Sequence, residues 1–458
     1  MCGFAEIIYA VGWFSVTGTS TLTTFRELAL ALREADAQYR ERVHELLFSR
    51  IFEARQVFAP ARSSRHVDLT VAIAWALENP ATTVDPLVAQ LGQDHRRLGF
   101  PPDIYDTFAQ CLIDALDLFD LSPKLIDATS ARLRSICTIM KDAAVKADWD
   151  GIPPAHTATV AAVERPNRKT AVVHLESAFP ISFQPGQALP VTTAHLPGVW
   201  RLLTPANISD ETAQVSFHIT DAGDASTLLT LARPGDVWTL GNARGKFPED
   251  LDVTYLGDAA TSPDLFLCYG TGWAAVRSYL LGKITDGDSQ PVAVIAHAES
   301  PGGHYDLLLQ NNLVELAPEI SMQHTVSQDH DPVLYGTHRA FPEHTAIPEM
   351  TVIDNPAHVA LEALLSNPHV FRRCVLVGPA DEVTEGAGIL NVGLARAGIV
   401  DCVIETHPWG EGQLTQSLLI IKHHIKLIIT YDSKLQPNIC KLARPLKLNA
   451  LRKKDFHP

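Results

Sequence analysis

The sequence predicts a multidomain protein, with an all-α domain followed by an antiparallel β-barrel and then a doubly wound α/β domain. Two changes in the apolar pattern lead to this prediction. Helical spacing continues to about residue 145, short alternating strands follow, and apolar runs then alternate with glycine-containing turns and helices. A chain of 458 residues has room for three domains of about 150 residues each.

The all-α domain is predicted over residues 21–148. Its clearest segment, FRELALALREADAQYRERVHELLFSRIFEARQVF, starts at Phe25 and keeps apolar residues at helical spacing, without the alternation of a strand. The segment DWDGIPP at 148–154 combines turn formers with prolines. We therefore place the end of the helical domain there.

The β-barrel is predicted over residues 155–250 and the α/β domain over 260–410. TATVAAV, TAVVHLES, AQVSFHIT and DVWTLG are short strand-like segments separated by Gly, Pro and Asp turns, as in a small antiparallel barrel. DLFLCYGTGWAAVRSYLLGKI, PVAVIAH and RRCVLVGPAD then place apolar runs before turns, and two of these runs lead into helices. That order is typical of a parallel sheet covered by helices.

Residues 411–458 form a segment of different composition. They hold seven lysines, whereas residues 1–410 hold six. We predict a peripheral Lys-rich tail of uncertain structure. The alternative is that SLLIIKHHIKLIITY forms an added basic helix or strand that binds a partner.

Composition excludes several classes of function. A formal net charge of −15 repels phosphate backbones, so we expect no nucleic-acid partner. No apolar stretch reaches the roughly 18 residues of a membrane span. The seven cysteines lack CxxC spacing, which argues against a disulfide framework and a zinc site. The apolar N-terminus has no basic residue before it and contains Glu6, so we expect no signal peptide and a cytoplasmic location.

Two segments of the predicted barrel carry groups that suit a phosphate. Arg201 lies in a strand shortly before Leu203 and Thr204, and its planar guanidinium can hold phosphate oxygens while a nearby hydroxyl hydrogen-bonds a ring. In GDAST, Gly223 frees backbone amides, and the following Ser226 and Thr227 supply hydroxyl groups.

Two turns of the predicted α/β domain have the same character. Gly270, Thr271 and Gly272 follow a buried strand and open a helix, whose N-terminal dipole favours a pyrophosphate. A second apolar strand, CVLV, ends in Gly378 and Pro379. Each segment alone is also compatible with an ordinary turn.

In this order, RLLTPAN, GDAST, RPGD, GTGWA and GPAD resemble the ferredoxin–NADP reductase superfamily over about residues 155–410. The resemblance implies that Arg201, Leu203 and Thr204 contact FAD, that the GDAST loop binds its phosphates, and that the GTG and GP turns line the site for NADH or NADPH. The chain departs from the family pattern where Leu203 replaces a tyrosine and Tyr269 replaces a glycine. The segment HAES at 297–300 has no arginine for a 2′-phosphate, which favours NADH.

One histidine of the helical domain is a candidate iron ligand. The segment LVAQLGQDHRRLGFPPDIYDTFAQCLIDAL puts His95 near the end of one helix and Tyr105 one turn into the next. With ELLFSRIFEARQVF, this segment resembles the globin domain of flavohaemoglobins, in which a globin precedes this kind of reductase. The resemblance implies that His95 binds haem b, that Tyr105 orients it, that Phe58 packs against the haem, and that Asp142 also braces the histidine.

The resemblance also identifies the distal side of the haem, where the family carries a tyrosine and a glutamine. His44 stands at the tyrosine position, and the glutamine is absent between Arg65 and Asp68. Bound oxygen gains partial negative charge and is stabilised by directed hydrogen-bond donors. His44 or His66 can supply such a donor, and so the sequence leaves open which of them does so, if either.

By this resemblance, the chain is expected to be an oxidoreductase that passes electrons from NAD(P)H through FAD to haem. It would bind oxygen and convert nitric oxide to nitrate, which is nitric oxide dioxygenase activity. Two alternatives stay open. One is a haem-based gas or redox sensor whose reductase no longer turns over. The other is a flavin oxidoreductase for another small substrate, such as a hydroxy acid.

Overall fold

The structure is a computed structural model. It describes residues 21–52, 54, 69–197, 199–248, 262–331, 346–366, 370–399 and 402–409. Phe58, the 65–68 segment with His66, and the Lys-rich tail lie outside these residues. No helix in the described ranges has the length and apolar character needed to cross a membrane.

The first part of the chain is helical. Its described α-helices are α1 Phe25–Glu34, α2 Asp36–Arg50, α3 Leu69–Glu78, α4 Ala81–His95, α5 Ile104–Asp114 and α6 Pro123–Trp149. Capping explains two of the starts. Thr24 forms a capping box with Glu27 at α1, and Ser122 accepts a hydrogen bond from the Leu125 amide at α6.

A glycine sets the spacing between α4 and α6. A Cβ atom on Gly92 would lie 2.2 Å from the carbonyl oxygen of Met140, so only glycine fits at this crossing. Both helices contribute to one buried core together with α1, α2, α3 and α5. The close approach fixes the C-terminal end of α4, which carries His95, against α6.

The second part is a six-stranded antiparallel sheet in the order β4-β3-β6-β1-β2-β5. Its strands are β1 His156–Glu164, β2 Thr170–Ser177, β3 Leu189–Thr193, β4 Arg201–Leu203, β5 Gln214–Thr220 and β6 Val237–Leu240, with a short helix, α7, at Asp224–Thr230. The two edge strands approach each other, because Pro205, just after β4, forms a bridge with Phe217 of β5. The sheet is therefore a nearly closed barrel, as predicted.

The third part is a parallel sheet in the order β10-β9-β8-β7-β11-β12. Its strands are β7 Asp264–Tyr269, β8 Val292–Ala298, β9 Ile320–Val326, β10 Met350–Val352, β11 Arg373–Pro379 and β12 Val403–Trp409. Its helices are α8 Trp273–Thr285, α9 Leu307–Leu316, α10 Ala357–Ser366 and α11 Ala380–Ala397. The first two helices cover one face, and the last two cover the other.

This arrangement confirms the predicted doubly wound α/β domain. Strands β7 to β10 run outward in one direction, and β11 then returns to the other side of β7. The direction of winding therefore changes between β7 and β11. Ligands of open parallel sheets bind at the carboxyl ends of the strands at such a switch point.

Candidate functional site

The structure brings His95 and Tyr105 together. His95 is the last residue of α4, and Tyr105 is the second residue of α5, so the tyrosine lies nearer the helix start than predicted. The Tyr105 hydroxyl lies 3.1 Å from His95 Nδ1, and the two rings are 7° from parallel. Phe100 packs against both rings. This contact fixes the orientation of the imidazole.

Burial keeps the His95 imidazole neutral. Desolvation, with a further contribution from the positive charges of Arg97 and Arg244, lowers its pKa to about 3. No described residue hydrogen-bonds Nε2. Because a neutral imidazole with one nitrogen oriented by a hydrogen bond suits metal coordination, the donor set at His95 fits a haem ligand.

The other predicted haem-side residues are placed differently. Asp142 is exposed on α6 and makes no hydrogen bond to His95 or Tyr105 in the described structure, so its role beside the histidine stays a prediction from the resemblance. His44 lies half-buried on α2, stacked on Phe48 with ring centroids 5.5 Å apart. Burial lowers the pKa of His44, so it is a neutral group.

The segment predicted to contact the flavin forms a strand, β4. Arg201 begins β4 and is exposed, with one guanidinium nitrogen donating to the Trp200 carbonyl. Leu203 packs against the barrel core, and Thr204 follows the strand half-buried. An exposed guanidinium at the barrel edge can reach an anionic ligand.

The GDAST loop differs from expectation, because its donors are engaged locally. Thr227 donates to the Asp221 carboxylate, and the Gly223 amide donates to the same carboxylate at 3.2 Å. The Ser226 hydroxyl accepts from the Ala222 amide and donates to the Gly223 carbonyl. Gly223 has a φ of 100°, which favours glycine. Sequence reasoning did not identify Asp221 as the acceptor of these two hydrogen bonds, because the pairing depends on the folded conformation of the loop.

At the switch point, two glycines allow backbones to approach. A Cβ atom on Gly272 would lie 2.3 Å from the Val377 carbonyl oxygen, and one on Gly378 would lie 2.7 Å from Cβ of Tyr269. Gly270 has a φ of 52° and open space around it. Thr271 lies with these glycines in the turn that opens α8, and Pro379 precedes α11. The predicted GTG and GP turns therefore meet at the carboxyl ends of β7 and β11.

Tyr269 is accommodated within the protein. Its ring is buried, and its hydroxyl approaches Gly386 of α11, where a Cβ atom would lie 2.4 Å away. Among the described residues its hydroxyl has no hydrogen-bond partner, and burial raises the pKa of this phenol. The ring therefore points into the α/β core and leaves the turn after β7 open.

A small cavity next to this turn is lined by His297 and His304, and His324 packs behind His304; sequence reasoning assigned these histidines no role. His297 at the end of β8 lies 3.0 Å from the Thr325 hydroxyl, and His324 on β9 lies 2.9 Å from Gln310. His304 lies 3.0 Å from the Thr325 carbonyl oxygen. Burial lowers the pKa values of these histidines to about 4, 4 and 3 respectively. In the described residues, no group of three or more His, Cys, Asp or Glu is placed to hold a metal ion.

The barrel and the parallel sheet contact each other beside this site. The Thr220 hydroxyl of β5 lies 3.3 Å from the Thr271 hydroxyl of the GTG turn. Arg277 of α8 donates to the Ala206 carbonyl, and Ser278 donates to the Asn207 carbonyl. These bonds place the segment after β4 next to the GTG turn.

No protein-family model and no curated protein matches the chain. Among solved structures, the flavohemoglobin of Malassezia yamatoensis with bound FAD and heme is 18% identical, with a TM-score of 0.54 over 84% of this chain and 100% of that chain. The flavohem-like FAD/NAD binding domain of the nitric oxide dioxygenase of Vibrio cholerae O1 biovar El Tor is 14% identical, with a TM-score of 0.42 over 56% of this chain and 100% of that chain.

A ferredoxin reductase in carbazole 1,9a-dioxygenase is 18% identical, with a TM-score of 0.42 over 55% of this chain and 69% of that chain. The likeness to the flavohemoglobin, which has the highest TM-score of the three, is a likeness of fold.

Proposed function

We propose that this chain is a flavohaemoglobin-like NAD(P)H oxidoreductase that uses FAD and haem b and has nitric oxide dioxygenase activity. The observation that carries the proposal is the oriented, neutral His95 at the end of α4, in a helical domain that precedes a barrel and a parallel sheet. The likeness of fold to a flavohemoglobin along 84% of the chain supports it.

His95 would hold the haem iron through Nε2, since Tyr105 takes up Nδ1. Phe100 packs against both rings and shields one side of this half-buried imidazole from water. A second group that orients a ligating histidine raises its electron donation. Because Nε2 would need its lone pair for the iron, Nδ1–H would donate to the Tyr105 oxygen, and this hydrogen bond would set the orientation of the imidazole. Burial raises the pKa of the Tyr105 phenol, which therefore stays neutral.

The flavin would lie along β4. Arg201 would bind its phosphates, and Thr204 would hydrogen-bond the ring, while Leu203 would pack against it in place of an aromatic side chain. Asp221 engages the GDAST donors, so this loop contributes less to phosphate binding than in the family pattern. We therefore expect FAD to bind more weakly than haem.

The nicotinamide cofactor would occupy the crevice between β7 and β11. The amides around Gly270 and the dipole of α8 suit a pyrophosphate. At the ends of β8 and β11 lies an acidic group that includes Glu299 and Glu382, and burial together with the neighbouring acids raises the Glu382 pKa. Negative charge there disfavours a 2′-phosphate, so NADH is the expected donor.

The three groups together supply hydride acceptance, single-electron transfer and oxygen activation when bound. NADH delivers two electrons as a hydride, and each turnover of nitric oxide to nitrate with oxygen needs one electron at the haem. His44 would face the bound gas on the distal side, which is the role the resemblance implies for it.

The test is the absorption spectrum of the purified holoprotein together with its NADH consumption. We expect a Soret band and a flavin band, NADH oxidation, and faster consumption of nitric oxide when NADH and oxygen are both present. His95→Ala should abolish the Soret band and leave the flavin band. His330→Ala, which changes an exposed histidine of the α/β domain, is the control. A Soret band unchanged by His95→Ala would overturn the assignment.

A second candidate is favoured by one observation. Because Asp221 engages donors of the phosphate loop, the reductase portion would turn over slowly, as expected of a haem-based sensor. The measurement above separates the two functions, because a sensor would show the Soret band without steady NADH consumption. Bleaching of the flavin by a panel of hydroxy acids would instead indicate a different substrate.

A further inference from the structure

The segment that carries His95 makes a buried ion pair with the barrel. Asp94, at the end of α4, lies 2.5 Å from Arg244 of the barrel, and both side chains are at least 90% buried. The Arg244 backbone is fixed in turn, since it exchanges hydrogen bonds of 3.0 and 2.8 Å with Ala188 beside β3. The contact therefore joins two rigid backbones, one from each domain.

Arg97 extends the same contact. Its guanidinium pairs with Asp94 at 2.9 Å and lies over the Trp200 ring at 5.2 Å from the ring centroid. Its side chain also passes close to the barrel backbone, since a Cβ atom on Gly241 would lie 3.1 Å from Arg97 Cδ. Trp200 is the residue before Arg201, which starts the predicted flavin strand. We call Asp94, Arg97, Trp200 and Arg244 the interdomain clasp.

Arg96, the residue after His95, contacts the segment that links the helical domain to the barrel. Arg96 pairs with Asp148 at 2.6 Å and donates to the Ile152 carbonyl, just before the barrel begins. His95 therefore lies between side chains that contact the barrel on one side and the linker on the other. A shift of the barrel against α4 would move both the clasp and the segment that holds His95.

The physical chemistry of the pair argues for a positioning role. Removing two charges from water costs free energy, and their attraction offsets this cost only when the two groups meet in the correct geometry. A buried ion pair therefore adds little to the affinity between the domains but favours one relative orientation of them. Arg97 and Arg244 both face Asp94, so their placement depends on the two domains meeting in one arrangement.

We propose that the interdomain clasp positions the helical domain on the barrel so that electrons pass from the flavin site to the His95 site. The proposal rests on the proposed function. Asp94 is here a positioning residue that acts through the backbone of His95 and the flavin strand. The step is the transfer of one electron at a time from reduced flavin to ferric haem, with NADH as the source of both electrons.

The test compares Asp94→Asn and Arg244→Met with the intact holoprotein by anaerobic stopped-flow. We expect flavin reduction by NADH at the original rate and haem reduction slowed by about tenfold or more, because the two sites would no longer be held in one orientation. Arg244→Lys keeps the charge without the planar fork and should recover part of the rate. Asp85→Asn is the matched control, since it removes an ion pair of α4 with Arg132 that stays within the helical domain.

A second readout does not depend on turnover. Amide hydrogen exchange of residues 94–100 and 241–244 should speed up in Asp94→Asn and Arg244→Met but not in Asp85→Asn, because only the first two release the interface. Wild-type haem reduction in both clasp variants, or unchanged exchange at these residues, would overturn the proposal while leaving the proposed function intact. Failure of NADH to reduce the flavin in the intact protein would instead overturn the proposed function, and the positioning role with it.

Discussion

The hydroxyl of Tyr105 lies 3.1 Å from Nδ1 of His95, in rings 7° from parallel, although the two residues belong to different helices. The short segment between α4 and α5 makes this contact possible. It contains Gly99, whose φ of 77° reverses the chain, and Phe100, which packs on both rings. The pair is thus a product of local chain reversal and aromatic packing, and it leads to the first prediction.

Tyr105→Phe should rotate or loosen the His95 ring while leaving the haem bound. We expect a loss of about 0.5–1.5 kcal/mol in the free energy of unfolding, which is the usual worth of one hydrogen bond. We also expect a lower iron–histidine stretching frequency, because the imidazole loses its orienting partner. Resonance Raman spectroscopy of the reduced protein measures the second effect.

Tyr39→Phe is the control for this variant. It removes a buried hydrogen bond of 2.8 Å to the Leu112 carbonyl in the same helical core. Its stability should fall by a similar amount, whereas the iron–histidine frequency should stay at the original value. Equal spectral changes in the two variants would mean that Tyr105 does not orient His95.

His44→Tyr should slow the dissociation of oxygen from the reduced protein. A phenol at this position would donate a hydrogen bond to bound oxygen, and each 1.4 kcal/mol gained slows dissociation about tenfold. Stopped-flow oxygen displacement measures the rate. If the original protein already holds oxygen as tightly as the variant, another residue supplies the distal donor.

Gly272→Ala should destabilise the α/β domain. The new Cβ atom would lie 2.3 Å from the Val377 carbonyl oxygen, and both strands are buried, so the backbone must shift at a cost of about 1–3 kcal/mol. Denaturant unfolding measures this loss. Gly388→Ala on the exposed face of α11 is the control, because its Cβ atom meets nothing within 4 Å and should stabilise the helix by up to about 1 kcal/mol. Equal stability of the two variants would contradict the close approach of β7 and β11.

The buried histidines should make the protein unstable in mild acid. His297 and His324 have pKa values of about 4 when folded and 6.5 as the ordinary value, so the unfolded chain binds more protons between these limits. The free energy of unfolding therefore falls as the pH drops from about 7 towards 4, by about 1–2 kcal/mol per histidine at pH 5. Urea titrations at pH 7, 6 and 5 test this.

The variant His324→Gln isolates one of these groups. It should flatten the pH dependence by the contribution of that histidine, at the cost of a constant loss from its bond to Gln310. If the free energy of unfolding of the variant keeps the original dependence on pH, the pKa of His324 does not differ between the folded and unfolded states in this range.

Glu299→Gln should raise the use of NADPH relative to NADH. Glu299 follows β8 and pairs with Lys169 at 2.8 Å, and its charge would repel a 2′-phosphate. Removing the charge should lower the KM for NADPH by several-fold and change the KM for NADH little. Steady-state kinetics with both cofactors decide this, and an unchanged ratio of the two KM values would place the adenosine portion elsewhere. Asp329→Asn, at an exposed acid that follows β9, is the control.

The sequence by itself determined the barrel and the parallel sheet, because both depend on local signals. Alternating apolar residues in β1 to β6, and apolar runs that end in glycine before α8 and α11, follow from the chemistry of the individual segments. The turns at Gly272 and Gly378 were predicted from the order and spacing of all the motifs together, because each turn alone is also compatible with an ordinary turn.

Contacts between segments far apart in the chain were decided only by the tertiary structure. Asp94 and Arg244 are 150 positions apart, and nothing in either neighbourhood indicates their pairing. Asp142 was proposed from the resemblance, which gives a position along the last helix but not its neighbours in space, and its side chain is exposed in the structure. The hydrogen bonds from the Gly223 amide and the Thr227 hydroxyl to Asp221 were likewise not predictable from sequence spacing. Which acceptor a donor meets depends on the folded geometry of the loop.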